Sequence, residues 1–209
     1  MTPGSGCPGF APARMFDGRR GSSEEAAMGT VVLDITMSLD GFVATPDHDT
    51  ERLHAWVFAD AGQTVFGPEV RELMRTSWTG AVVAGRRTYD VSGGWGGEPP
   101  VPVPYFVVSH DVPDDAGPRF TFVADVRGAV EKARAAAGDG GVYVMGGPDI
   151  ARQCLDDGLL DEIRIHLVPV LLGDGVRLFG ALRAGPVELG TPRVREFPLR
   201  TELTFPVLK

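Results

Sequence analysis

The sequence has few cysteines and no long apolar segment, and each absence excludes a class of protein. Only two cysteines occur, Cys7 and Cys154, which cannot form a disulfide framework or a cysteine-rich metal site. Cys154 lies in an apolar helical pattern, so we interpret it as a small core residue, and we predict no metal site. No apolar run approaches the roughly 18 residues that a membrane-spanning helix needs.

An excess of basic residues is also lacking. The chain carries 20 basic and 28 acidic residues, for a formal net charge of −8. This balance argues against binding to nucleic acids or acidic membranes in general, because both require a basic surface. A local pair of arginines can still bind a phosphorylated small molecule. The hydrophobic content of 43% is enough for the core of one domain.

Residues 1–28 differ in composition from the rest of the chain. They are rich in glycine, proline, alanine, serine and arginine and show no hydrophobic periodicity. We interpret them as a disordered or non-native extension, with Met28 as an alternative start, and residues 29–209 as one domain. Because the extension has no apolar segment typical of a secretory signal, we predict a cytoplasmic location.

Two strand-to-helix junctions that open with glycine are the most informative feature. In GAVVAGRRTYD an apolar run ends before Gly85, and in GVYVMGGPDIARQCL another ends before Gly146 and Gly147. Glycine lets backbone N–H groups approach a ligand closely, and the start of a helix favours an anion. Because ligands of open α/β sheets bind at the carboxyl ends of strands, two such junctions can hold one long phosphorylated molecule. A nucleotide cofactor is the natural candidate.

The remaining pattern predicts an α/β fold. Strands alternate with helices and are followed by strands joined by turns, which indicates a mainly parallel sheet with antiparallel edge strands. Strands are predicted at residues 31–36, 81–84, 105–109, 120–123 and 142–145. Helices are predicted around residues 51–59, 68–76, 126–137 and 148–157, the third capped by Asp125.

Three motifs in this order suggest a family. MSLDGFVA, AGRRTYD and YVMGGPDIARQCLDDGLLDEIRIHLVPVLLGDGVRLF resemble the dihydrofolate reductase-like superfamily over roughly residues 30–207. The resemblance is greatest to the C-terminal reductase domain of the riboflavin-biosynthesis deaminase–reductase. The zinc signature of a deaminase domain is missing from this sequence. The resemblance implies a central sheet flanked by helices, hydride transfer from NADPH to a small heterocyclic substrate, and a homodimer, which we place at the apolar residues 168–173.

The resemblance also implies roles for particular residues. Arg86 or Arg87 would pair with the 2′-phosphate of the cofactor, for which a planar guanidinium is suited, and Ser109 would supply a second contact. The paired glycines, often joined by a cis peptide in the family, would hold the pyrophosphate. The full set of expected cofactor-binding residues is Gly85, Arg86, Arg87, Thr88, Ser109, Gly146, Gly147, Pro148, Asp149 and Ile150.

The substrate side is less defined by the sequence. Asp40 is the candidate catalytic residue near the nicotinamide, and Gly41, Trp56 and Trp95 are candidates for lining the substrate cleft. His166, in an alternating strand, is more typical of a packed or surface histidine than of a base.

Two departures from the family bear on the substrate. Asp34 stands where the riboflavin reductases usually carry lysine, and Met145 stands where they usually carry glutamate. The leading hypothesis is therefore an NADPH-dependent reductase similar to 5-amino-6-(5-phosphoribosylamino)uracil reductase, with its substrate open. The alternatives are a full or weak dihydrofolate reductase and a nucleotide-binding module without turnover.

Overall fold

The computed structural model describes residues 29–57, 79–99 and 101–209. Within these ranges, eight strands form one sheet and two short strands form a second, separate pair. The strands are β1 Val31–Ser38, β2 Phe42–Ala44, β3 Thr79–Gly85, β4 Tyr105–Val108, β5 Phe120–Val123, β6 Gly141–Gly146, β7 Glu162–Val168, β8 Val176–Arg177, β9 Arg193–Phe197 and β10 Arg200–Pro206. The predicted helix at residues 68–76 lies outside the described residues.

The main sheet has the order β5-β4-β3-β6-β1-β7-β10-β9. Neighbouring strands from β5 to β7 are parallel, whereas β10 runs antiparallel to both β7 and β9. The predicted fold class, a mainly parallel sheet with antiparallel edge strands, is confirmed. The pair β2 and β8 joins the segment after β1 to the segment after β7, which brings two loops together at the carboxyl ends of these strands.

Four α-helices are described: α1 Glu51–His54, α2 Arg86–Val91, α3 Val126–Ala137 and α4 Pro148–Asp156. As predicted, Asp125 caps α3, because its side chain accepts a hydrogen bond from the N–H of Gly128 at 2.7 Å. Among the described residues no helix is long and apolar enough to cross a membrane.

The main core lies between α3, α4 and one face of the sheet. Alternate residues of β1, including Val31 and Leu33, point into it together with Cys154 of α4. Cys154 is fully buried, and burial raises the pKa of its thiol to about 12. This agrees with its interpretation as a core residue. The opposite face of β1 carries Asp34 and Thr36 instead, so this face is available for a polar site.

Candidate active site

The fold brings the two glycine junctions side by side. Ala84, the residue before Gly85, lies opposite Gly146 in the parallel register of β3 and β6. A Cβ atom built on Gly85 would lie 2.9 Å from Cγ1 of Ile150 and 3.6 Å from the backbone nitrogen of Gly147. A Cβ atom at position 85 would therefore force the Ile150 side chain to move, so glycine suits the close packing of the two junctions.

The second junction has the form that the family resemblance implies. The Gly146–Gly147 peptide bond is cis, and Gly146 has a φ of +92°. Gly147 precedes α4, and a Cβ atom placed on it would meet nothing within 4 Å. A phosphate group could therefore approach this backbone closely.

The three residues after the paired glycines serve mainly to build α4. Pro148 occupies the first turn, and Ile150 is buried against Gly85. The carboxylate of Asp149 accepts hydrogen bonds from Arg152 and Gln153, which lie one turn further along the helix. Of these three predicted cofactor residues, Ile150 thus contributes by packing beside Gly85.

The two arginines of the first junction point to different partners. Arg86 donates from Nε to Oδ1 of Asp90 at 2.7 Å and from Nη1 to Oγ of Ser109 at 3.4 Å. The hydrogen bond to Asp90 raises the pKa of the Arg86 guanidinium. Arg87 instead contacts Nε2 of His48 through Nη1 at 2.8 Å. The structure therefore places Arg86, but not Arg87, beside Ser109, the other residue expected at the 2′-phosphate.

Thr88 completes the first junction. It is half-buried in α2, and its carbonyl oxygen accepts a hydrogen bond from the N–H of Ser92 at 3.2 Å. Its backbone thus helps to end the short helix that follows Gly85.

Asp40 ties two loops together. Its carboxylate accepts hydrogen bonds from the hydroxyl of Ser38 at 2.6 Å and from the N–H groups of Leu172 at 3.2 Å and Gly173 at 2.7 Å. The Ser38 hydroxyl is the largest cause, and together with the two N–H groups it lowers the pKa of Asp40 to about 2 against the opposing effect of partial desolvation. At neutral pH Asp40 is therefore an anion and could not itself supply a proton. Gly41, with a φ of +90°, makes the turn that follows.

Replacing Asp40 with asparagine is expected to lower the Tm at neutral pH, because an amide cannot accept all three hydrogen bonds. The pKa of Asp40 is lower in the folded protein than its ordinary value of 3.8. Its ionised form therefore stabilises the fold above pH 3.8, and this contribution is lost as the pH falls from 3.8 towards 2.

Thermal unfolding of both proteins at about pH 7 and about pH 2.5 checks this, and we expect the difference in Tm to narrow in acid. Asp174→Asn in the same loop is the matched control, since within the described residues the Asp174 carboxylate accepts a hydrogen bond only from the adjacent N–H of Gly175. Equal Tm values for wild type and Asp40→Asn at neutral pH would contradict the prediction.

A cluster of buried charges lies on the polar face of β1 and β7. Asp34 faces Arg164 in the register, and its Oδ2 accepts a hydrogen bond from Nη1 of Arg164 at 3.2 Å. Its Oδ1 lies 2.7 Å from Nε2 of His166. Burial alone would raise the pKa of Asp34, but the attraction and hydrogen bonding of His166 and Arg164 outweigh it and lower the pKa. The departure at position 34 is therefore an aspartate that forms an ion pair with Arg164 and a hydrogen bond with His166.

Both ring nitrogens of His166 form hydrogen bonds. Arg200 donates from Nε to Nδ1 of His166 at 3.2 Å. Because Arg200 can only donate, Nδ1 is the acceptor and Nε2 carries the hydrogen that bonds to Asp34. The Arg200 guanidinium lies 4.0 Å from the ring centroid of Trp56 and 3.9 Å from that of Phe197.

The two tryptophans predicted at the substrate cleft do not lie together. The Trp56 ring packs against His166 with centroids 4.8 Å apart and the ring planes tilted by 37°, so Trp56 belongs to the buried charge cluster. Trp95 packs 5.5 Å from Tyr105 and 6.0 Å from Phe120, near β4 and β5 at the other side of the sheet. Trp95 therefore completes an aromatic cluster, away from Trp56.

Sequence reasoning missed most of the buried charge cluster. Its members share one sheet face: Asp34 on β1, Arg164 and His166 on β7, and Arg200 and Glu202 on β10. The signal was the alternation in EIRIHLV and RTELTFP, where every second residue is polar. In strands this pattern usually indicates a solvated face, and here the polar face is buried.

Comparison with known proteins agrees with this geometry. The fold is that of the dihydrofolate reductase-like proteins. A profile of the RibD C-terminal domain family matches residues 29–196, and the chain belongs to that family. A search of curated proteins finds no match.

Three solved structures illustrate the shared fold. A putative riboflavin biosynthesis protein from Shewanella sp. PV-4 has a TM-score of 0.69 at 23% identity, covering 86% of this chain and 99% of that one. Dihydrofolate reductase from Enterococcus faecalis, complexed with NADP(H) and RAB-propyl, has a TM-score of 0.60 at 13% identity, covering 88% and 99%. A Thermotoga maritima diaminohydroxyphosphoribosylaminopyrimidine deaminase/5-amino-6-(5-phosphoribosylamino)uracil reductase has a TM-score of 0.56 at 13% identity, covering 87% and 57%.

Proposed function

We propose that this protein is an NADPH-dependent reductase of a small heterocycle, similar to 5-amino-6-(5-phosphoribosylamino)uracil reductase. The observation that carries the proposal is the direct contact between the two glycine junctions, with Arg86 and Ser109 beside the first. Membership of the RibD C-terminal domain family supports it. The formal net charge of −8 favours a small-molecule partner over a nucleic acid.

The described residues suit a dinucleotide phosphate. The open backbone at Gly147 would take the pyrophosphate, and Arg86 with Ser109 would take the 2′-phosphate. When bound, the nicotinamide supplies the hydride. The chain then has to orient the nicotinamide ring against the ring of the substrate and exclude water. The loop anchored by Asp40 would position the nicotinamide end of the cofactor.

The proton that accompanies the hydride would come from water. Asp40 is ionised at neutral pH, as its pKa of about 2 implies. Both ring nitrogens of His166 are engaged by Asp34 and Arg200. We therefore assign to Asp40 an electrostatic and positioning role in catalysis, and to Trp56 a place in the wall of the substrate cleft beside His166.

The experiment that tests this function is a titration with NADPH and NADH, followed by the quenching of tryptophan fluorescence. NADPH oxidation is then measured with a panel of pyrimidine and pteridine substrates that includes dihydrofolate. We expect tight NADPH binding and turnover of a pyrimidine. Turnover of dihydrofolate alone would support the dihydrofolate reductase alternative. Binding without turnover would indicate a nucleotide-binding module, and no binding of either cofactor would overturn the proposal.

We also propose that the protein is a homodimer that associates through residues 168–173. Leu171 is 68% exposed and Leu39 is 60% exposed. The two segments are adjacent, because the N–H of Leu39 donates to the carbonyl of Val170 at 2.9 Å. Light scattering at micromolar concentration is expected to give twice the mass of the chain, and Leu171→Asp is expected to give the monomer. A monomeric wild type would contradict this prediction.

A further inference from the structure

The indole nitrogen of Trp56 is a hydrogen-bond donor that meets no acceptor. Its Nε1 atom is buried, and it has no hydrogen-bond partner within residues 29–57, 79–99 and 101–209. An indole nitrogen can only donate. A buried donor without an acceptor lowers stability, and a ligand that brings an acceptor to it recovers this loss. The orphaned N–H of Trp56 therefore points to a ligand.

The buried charge cluster fixes the plane of the Trp56 ring. The Arg200 guanidinium lies 4.0 Å from the ring centroid of Trp56, and the His166 ring packs against it with centroids 4.8 Å apart. Arg200 also donates to Nδ1 of His166, so these two neighbours hold each other in place. Because Nε1 is closed to solvent, a ligand atom can reach it only if the surroundings of the indole change on binding.

Trp56 lies on the polar face of the sheet, near the carboxyl ends of β1 and β7. Its neighbour His166 pairs with Thr36 in the parallel register, close to Ser38 at the end of β1. The Ser38 hydroxyl donates to Asp40, whose loop we place at the nicotinamide. The other neighbour of β1 is β6, which ends in the paired glycines. Trp56 is therefore on the side of the cleft where a substrate ring would meet the nicotinamide.

The acceptor groups of the charge cluster, in contrast, are engaged. Nδ1 of His166 accepts a hydrogen bond from Arg200. The cluster and its edge contain three paired carboxylates: Asp34 with Arg164 and His166, Glu162 with Arg164 and Arg193, and Glu202 with Arg195. Glu51, the acidic residue of α1, is exposed.

His54, the remaining polar group of α1 near His166, does not alter this balance. Burial, and to a smaller extent the nearby His166, lower the pKa of His54, so its imidazole is neutral at neutral pH. A neutral imidazole offers one donor and one acceptor, and it therefore suits either kind of ring edge. The unused group that discriminates is the donor of Trp56.

We propose that Trp56 is a substrate-binding residue whose indole N–H donates to a carbonyl oxygen of the substrate ring. This contact makes the site prefer a ring edge that carries carbonyl groups to one that carries amino groups. The inference rests on the proposed function, because it assigns a residue and a selectivity to the substrate site of the same reductase. A carbonyl oxygen pairs with the indole hydrogen, whereas an amino group brings a second donor against it and leaves both unpaired.

The test uses two small rings that differ only in these groups. 5,6-Diaminouracil has carbonyl groups where 2,4,5,6-tetraaminopyrimidine has amino groups, and both are titrated calorimetrically into protein saturated with NADP⁺ in a buffer that keeps both rings neutral. We expect the wild type to bind 5,6-diaminouracil about tenfold more tightly. Trp56→Phe keeps an aromatic ring without the N–H, so it should bind 5,6-diaminouracil about tenfold more weakly and lose the preference. Trp95→Phe, the same substitution in the aromatic cluster, is the matched control and should bind as the wild type does.

Nuclear magnetic resonance of the indole N–H groups provides a readout that needs no change at Trp56. The chain has three tryptophans, so Trp78→Phe and Trp95→Phe assign two signals and leave the third to Trp56. Adding 5,6-diaminouracil should move the Trp56 signal downfield, as a new hydrogen bond requires, and leave the Trp95 signal in place. An unshifted Trp56 signal in protein that binds 5,6-diaminouracil would overturn the inference, even where Trp56→Phe fails to fold.

The outcomes separate this inference from the proposed function. A wild type that binds neither NADPH nor NADH would remove the proposed function itself. Binding of NADPH without binding of 5,6-diaminouracil, or a preference for tetraaminopyrimidine, would overturn the role of Trp56 alone. An equal loss of affinity for the two rings in folded Trp56→Phe protein would show that packing, and not a hydrogen bond, is lost, and unchanged affinity would show that Trp56 does not contact the ring. Either result would contradict the proposal.

Discussion

Replacing Arg86 with glutamine is expected to weaken NADPH binding roughly 10- to 100-fold while leaving NADH binding close to that of wild type. The proposed 2′-phosphate site consists of the Arg86 guanidinium and the Ser109 hydroxyl, which are 3.4 Å apart. NADH has no phosphate at this position, so its affinity should not depend on Arg86. Fluorescence titration with both cofactors measures the two affinities, and their ratio is the informative quantity.

Arg87→Gln is the matched control for this prediction. It removes the adjacent arginine of the same helix, but Arg87 contacts His48 and not Ser109. We expect it to weaken the binding of both cofactors by a similar factor. Equal losses of NADPH and NADH affinity in Arg86→Gln would contradict the assignment of Arg86 to the 2′-phosphate. A loss of NADPH affinity confined to Arg87→Gln would exchange the roles of the two arginines.

The features that could be predicted from the sequence are local ones. Gly85 and the pair Gly146 and Gly147 each follow an apolar run and precede a helix, so their place at strand ends could be predicted from neighbouring residues alone. The cap of α3 by Asp125 is equally local. The adjacency of the two junctions followed from a general rule for parallel sheets. Only the structure gives the register of β3 and β6, which places Gly146 opposite Ala84 and so brings the two junctions into contact.

Features that depend on distant pairing could not be predicted. Arg164 contacts Asp34 across 130 positions, and Asp40 reaches Gly173 across 133. No local pattern specifies the partner of a charged residue in a strand. The sequence therefore suggested Asp40 as a catalytic candidate without showing that it anchors a loop, and it indicated Asp34 as a departure without showing what neutralises it.

Replacing Asp34 with alanine is expected to lower the free energy of unfolding by about 3–5 kcal/mol. The substitution removes the carboxylate that balances part of the charge of Arg164 and accepts the hydrogen bond of His166, while Glu162 remains 3.5 Å from Nη2 of Arg164. The Arg164 and Asp34 side chains are only 10% and 12% exposed, so solvent can replace little of what is lost. Urea denaturation of wild type and variant at neutral pH measures the difference.

A double-mutant cycle with Arg164→Met separates the charge interaction from packing. If the pair is the cause, the double variant should lose less stability than the sum of the two single variants, because the interaction between the two side chains is counted in both single variants but is lost only once. Strict additivity would show instead that the two side chains act independently.

The pH dependence of stability gives a second criterion. The pKa of Asp34 is lowered in the folded protein, so its contribution is present above its ordinary pKa of 3.8 and is lost as the pH falls below it. The stability difference between wild type and Asp34→Ala should therefore shrink in acid, and a difference that stays constant down to about pH 2 would show that the ionised carboxylate is not its source.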